Sequence, residues 1–124
     1  MTTRVLIVDD QAPFREAARA VVELTDGFEV AGEAETGEDA VETARTLDPD
    51  LVLMDVNLPG INGLEATKLI LAESNRIVIL VLSTYEAEEY APRVAETGAA
   101  AYIPKADFGP DTLSAAWEAA TASS

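Results

Sequence analysis

The chain has 124 residues, 48% of them hydrophobic, which suits one compact domain with a single core. Eight Lys and Arg against 23 Asp and Glu leave a net charge of −15; such a surface repels phosphate backbones, which argues against direct nucleic-acid contact, and suits cations and basic or apolar partners. The absence of Cys and His removes disulfides, thiol chemistry and the imidazole base and metal ligand.

A first strand is predicted over Arg4–Val8, running straight into Asp9 and Asp10. Apolar residues at Phe14, Ala17, Ala18, Val21 and Val22 then keep a 3.6-residue period, predicting a helix over Ala12–Leu24. Phe28–Gly32 reads as the second strand. Thr36 and Asp39 stand at N-cap spacing before a helix over Glu38–Leu47. The third strand, Leu51–Met54, ends on Asp55, and Asn62 with Glu65 opens a helix over Leu64–Ala72.

Ile77–Leu82 is the purest apolar run and reads as the fourth strand, finishing at Ser83 and Thr84. A helix over Glu86–Glu96 follows, its acidic start at Glu86–Glu89 read as a solvated face, and Gly98 reads as its stop. The fifth strand, Ala100–Ile103, leads to Lys105. Pro110 fits the first turn of a last helix over Asp111–Ala120, and Thr121–Ser124 reads as a tail or the start of a linker. No apolar run is long enough to span a bilayer and no signal peptide is evident, so a soluble, cytoplasmic domain is expected.

Five such βα units imply an α/β fold, a doubly wound five-stranded parallel sheet with helices on both faces. Ligands of such sheets bind outside the carboxyl ends of the strands. There the sequence places Asp9, Asp10, Asp55, the hydroxyls of Ser83 and Thr84, and Lys105. Two carboxylates about 4 Å apart repel by roughly 4 kcal/mol at an effective dielectric near 20. A hard divalent cation relieves that repulsion, and oxygen ligands with retained waters suit Mg²⁺. A carboxylate beside such a cation can serve as nucleophile toward phosphorus, with Mg²⁺ and Lys105 neutralising the phosphoryl oxygens and the Ser83 hydroxyl donating to one of them.

The stretches "VLIVDDQAPFREAARAVVE", "PDLVLMDVNLPGINGLEAT", "VLVLSTYEAEEY" and "ETGAAAYIPKADF" resemble the receiver domain of two-component response regulators over essentially the whole chain. The resemblance implies a flavodoxin-like sheet of strand order 2-1-3-4-5 in one receiver domain over 1–124, with an ordered core over about 3–120. It implies that Asp55 takes a phosphoryl group from a phosphohistidine on a sensor histidine kinase. Asp10, Asp55 and the main-chain carbonyl of Asn57 would bind Mg²⁺, with Asp9 acting mainly through a bound water. Lys105 would contact the phosphoryl group, Ser83 would close on it, and Tyr102 would be the switch aromatic that turns inward. Pro59 and Gly63 would shape the loop after Asp55.

Two departures stand out. The family commonly has a cis Lys–Pro bond at Lys105, whereas here Pro104 precedes the lysine and Ala106 follows it. The subgroup with a helix-turn-helix output (the NarL/LuxR type) often lacks that Pro, and "DDQAPFREA" resembles it, with Gln11 where His is usual. The resemblance implies control of an output, in this subgroup transcription, through an output domain or a partner protein. The DNA-binding half is not among these residues, which leaves a stand-alone receiver acting through protein contacts or a piece of a longer protein.

The same residues admit other readings. Asp9 and Asp10 could only cap the first helix, Thr84 could cap the fourth, Tyr102 could be an ordinary strand aromatic, and Asn57 and Tyr85 border the site. A Mg²⁺-dependent aspartyl-phosphate phosphohydrolase would favour Asp-x-Asp, but Asp55 is followed by Val56 and Asn57 and no cap domain fits in 124 residues. Dinucleotide binding lacks its Gly-x-Gly-x-x-Gly after the first strand. No external substrate is expected. The Ala-rich last helix around Trp117 offers a close-packing face for a homodimer or an output domain.

Overall fold

The computed structural model describes residues 2–84 and 87–122, and of 87–91 the backbone alone. Five strands, β1 (Thr3–Val8), β2 (Phe28–Ala34), β3 (Leu51–Asp55), β4 (Val78–Ser83) and β5 (Ala101–Pro104), form one parallel sheet in the order β2-β1-β3-β4-β5. Five helices connect and follow them: α1 (Ala12–Leu24), α2 (Gly37–Leu47), α3 (Gly63–Glu73), α4 (Ala87–Thr97) and α5 (Pro110–Thr121). This is the expected flavodoxin-like topology.

Side chains alternate across each strand, so every central strand feeds two cores. Val5 and Ile7 of β1, Leu51 and Leu53 of β3, and Leu80 and Leu82 of β4 pack with Ala18 and Val22 of α1 and Leu113 of α5. Leu6 and Val8, Val52 and Met54, and Ile79 and Val81 pack with Ala40 and Ala44 of α2, Leu64, Ala66 and Ile70 of α3, and Val94 of α4. At roughly 25 cal/mol per Å² of apolar surface removed from water, these two layers dominate stability. Trp117 is half-buried and meets Phe28 edge-on, with ring centroids 6.0 Å apart, so it serves the α1–α5 core.

Helix ends follow the caps in the sequence. The Thr36 hydroxyl accepts from the Asp39 amide and the Asn62 side chain from the Glu65 amide, each at 2.9 Å. Gly98 leaves α4 at φ 92°, a left-handed value that a Cβ disfavours. Most predicted boundaries shift by one or two residues. The largest shift is in β2, which passes Gly32 and ends at Ala34. A register irregularity opposite Val5 and Leu6 absorbs one residue, and Ala34 then accepts the Asp9 amide at 3.1 Å. Gly32 is a close-approach residue, not a strand end, since a Cβ there would lie 2.6 Å from Leu47 Cδ1. The predicted start of the fourth helix at Glu86, its acidic face over Glu86–Glu89, and residues 123 and 124 of the tail lie outside what the structure describes.

Candidate functional site

Asp9, Asp55 and Lys105 continue the alternation of β1, β3 and β5 on the side facing α1 and α5, one step beyond the last apolar residue of each strand. Burial is therefore inherited from the core: Asp9 is fully buried and Asp55 is 4% exposed, while Asp10, on the other parity, is exposed. Carboxylate oxygens of these three residues lie within 4.8 Å of one another.

One ammonium bridges the buried pair. Lys105 Nζ donates to Asp9 Oδ2 at 2.7 Å and stands 3.5 Å from Asp55 Oδ1. It is held over the Phe14 ring, 4.3 Å from the centroid, so the aromatic face of α1 supports the charge from below. The other oxygen of Asp9 accepts from the Gln11 amide at 2.8 Å. Both oxygens of Asp9 thus have partners, which fits a carboxylate that reaches a cation through water better than by direct contact.

Burial and one negative charge act on Asp55 in one sense, and an ammonium and a main-chain amide in the other. Burial, and then the charge of Asp9, push its carboxyl up to about 6, against the pull of Lys105 and the Asn57 amide. At neutral pH it remains mainly ionised, yet the site lacks one unit of positive charge or more. This all-oxygen set, gathered within 4.8 Å, suits a hard divalent cation, which Asp10 and Asp55 would meet directly and Asp9 through water.

The loop after β3 is shaped by contact more than by turn propensity. A Cβ on Gly63 would run into the carbonyl oxygen of Asp55, and the Gly63 amide donates to Val56 O at 2.9 Å. Only glycine lets α3 begin so close beneath the acidic residue. Glu38, in the first turn of α2, accepts from the Ile61 amide at 3.3 Å and pins the far side of the loop.

Ser83 is fully buried at the end of β4, beside the end of β3, where Val56 N donates to Leu82 O at 3.1 Å. Its parity follows Ile79 and Val81, and Tyr102 packs against that same α2–α4 core, so both residues stand on the face opposite Asp9 and Lys105. Asn57 is exposed, and its amide faces the Asp55 carboxylate. Thr84 is exposed. The cap of α4 and Tyr85 lie outside the described residues. Gln11, not Asp9 or Asp10, is the N-cap of α1 and makes no side-chain capping bond.

Three features escaped the sequence reading. Lys105 opens a short 3-10 turn, Lys105–Asp107, that points the ammonium back over the rim. Phe14 was read as core alone. Arg15 donates through Nη1 to the carbonyl oxygen of Asp9 at 2.7 Å. A signal for Arg15 existed, because a cation in the first turns of a helix opposes the macrodipole and calls for another partner. Among the described residues no peptide bond is cis, Lys105–Ala106 included.

Comparison with known proteins agrees with this fold. A family model described as the response regulator receiver domain matches residues 5–118. The chain is 38% identical over 102 residues to the transcriptional regulatory protein DegU of Brevibacillus brevis, covering 82% of this chain and 43% of that protein. It is 40% identical over 111 residues to the response regulator UvrY of Escherichia coli (strain K12), covering 90% and 51%. The crystal structure of a LuxR-family two-component response regulator from Aurantimonas sp. SI85-9A1 superposes with a TM-score of 0.89 at 34% identity, over 99% of this chain and 87% of that one. The chain spans about half the length of the curated relatives it matches. Receiver domains are signalling switches with an acidic Mg²⁺ pocket, and response regulators work between sensor kinases and output domains. This chain belongs to the receiver-domain family of two-component response regulators.

Proposed function

We propose that this chain, as a single receiver domain, takes a phosphoryl group on Asp55 and relays its presence to an output. The observation that carries the reading is the buried Asp9–Asp55 pair bridged by Lys105 beside the exposed Asp10. In the transfer, an Asp55 carboxylate oxygen forms the new O–P bond as the P–N bond to a sensor kinase imidazole breaks. The electron pair of the broken bond stays on the imidazole nitrogen. Lys105, already 3.5 Å from Asp55, meets the new phosphoryl oxygens, and the Asn57 amide continues to orient the carboxyl group.

Asp10, Asp55 and the Asn57 main-chain carbonyl would hold Mg²⁺, with Asp9 one water further out; the cation would offset the charge gathering on phosphorus. Ser83 then closes on the phosphoryl group, and Tyr102, on the same face of the sheet, follows it inward. That motion repacks α4, β5 and α5, where a homodimer, an output domain or a partner protein would read the state. The net charge of −15 supports a reading in which any DNA contact comes from outside this domain. In this reading the domain works in the cytoplasm beside its sensor kinase and acts on no external substrate; among the described residues no helix is long and apolar enough to cross a membrane.

The test is intact mass after incubation with acetyl phosphate and Mg²⁺. One added phosphoryl group is expected, absent from Asp55→Asn and absent in excess chelator. Equal labelling of Asp55→Asn would overturn the assignment.

A further inference from the structure

Arg15 is nearly buried, with 14% of its side chain exposed, and every face of its guanidinium is committed. Nη1 donates to the Asp9 carbonyl oxygen at 2.7 Å, Nε to Glu33 Oε1 at 3.2 Å, and Nη2 stands 3.4 Å from Glu35 Oε1. Glu33 is held in turn by Arg19. The two glutamates flank Ala34, whose carbonyl accepts the Asp9 amide. The peptide groups on both sides of Asp9 are therefore fixed by the end of β2, one directly and one through Arg15.

A cation bonded to the backbone of Asp9 should, on charge alone, compete with a metal ion at the acidic cluster. Glu33 and Glu35 cancel that charge, leaving Arg15 as a rigid donor in place of a net cation. The bond it makes is to the carbonyl of the Asp9–Asp10 peptide, so it sets where Asp10 leaves β1 and where the Asp10 carboxylate can reach. We infer that Arg15 is a positioning residue for the cation site: by clamping the Asp9–Asp10 peptide to the end of β2 it strengthens divalent-cation binding, against the sign of its own charge. This inference rests on the Mg²⁺ site proposed above.

The two ideas separate in one experiment, a calorimetric titration of Mg²⁺ at neutral pH into wild type, Arg15→Met, Arg15→Lys and Arg19→Met. A clamp predicts about tenfold weaker binding for both Arg15 variants, because lysine keeps the charge but cannot serve Asp9, Glu33 and Glu35 together. Arg19→Met, which loses a contact to Glu33 and leaves the bond from Arg15 to the Asp9 carbonyl in place, should stay within twofold of wild type. Urea unfolding in chelator identifies any variant whose fold is compromised, and Arg15→Lys, which keeps the charge and most of the volume, carries the test if Arg15→Met does not fold. Tighter binding by Arg15→Met, or unchanged binding by Arg15→Lys, would overturn the clamp. Absence of binding by wild type would overturn the cation site itself.

Discussion

The two ends of the sheet both crowd charged groups, and they resolve them differently. At the amino end, Arg4 donates to the carbonyl oxygens of Leu47 and Asp48, its amide donates to Asp50, and Arg76 pairs with Asp48 and Asp50. Two arginines meet two aspartates, and the Arg76 and Asp48 side chains are at least half exposed. At the carboxyl end, three aspartates cluster and a single ammonium meets the two that are buried. A balanced, solvated cluster does structural work at small energies. An unbalanced, buried one is held in place by the surrounding core, and its missing positive charge is what the proposed cation would supply.

The largest expected effect breaks the unbalanced end. Lys105→Met leaves Asp9 and Asp55 buried without their counter-charge, and removal of one partner from a buried pair costs about 3–5 kcal/mol. Urea unfolding in chelator should show that loss, and millimolar Mg²⁺ should recover part of it. An unchanged midpoint would place Lys105 among ordinary surface residues. Gly63→Ala comes next, at about 3 kcal/mol, because the added methyl must displace either the Asp55 carbonyl or the start of α3. Labelling by acetyl phosphate should fall with it; a variant as stable and as reactive as wild type would show that the close approach is dispensable.

The third prediction uses pH. In chelator, the unfolded chain releases the Asp55 proton near 3.8, whereas the folded chain keeps it to about 6. Between those values the folded state binds more protons, so stability contributed by protonated Asp55 is full below pH 4 and is lost as pH rises to about 6. Asp55→Asn should remove that part of the decline, and a profile identical to wild type would contradict the burial argument. The smallest effect belongs to the balanced end. Arg76→Ala should cost at most about 1 kcal/mol and leave phosphoryl labelling untouched. A loss of labelling there would mean that the two ends of the sheet are coupled.

How much of this was legible from the sequence follows the same division. The helix over Ala12–Leu24 and the caps at Thr36 and Asn62 were readable, because they rest on local periodicity and on side chains that bond three residues away, whereas strand order followed from the resemblance to receiver domains. Asp9, Asp10, Asp55 and Lys105 were readable as a group because a parallel sheet gathers strand ends on one rim. The end of β2 was not, since it depends on a bulge and on an amide from another strand. The need of Arg15 for a partner had a signal, but the partners themselves were not readable, because they are a backbone carbonyl six residues back and glutamates about twenty residues ahead. The turn at Lys105 was not, because nothing local separates an ammonium at a strand end from one folded back over Phe14.

The most direct test of the unbalanced rim as a phosphoryl acceptor is to find the modified atom. Protein treated with acetyl phosphate and Mg²⁺ is reduced with borohydride, which turns an acyl phosphate of aspartate into homoserine, and the peptides are sequenced by mass spectrometry. The account predicts homoserine at position 55 and at no other aspartate. Homoserine at Asp9 or Asp10, or none anywhere in protein shown to bind Mg²⁺, would contradict it.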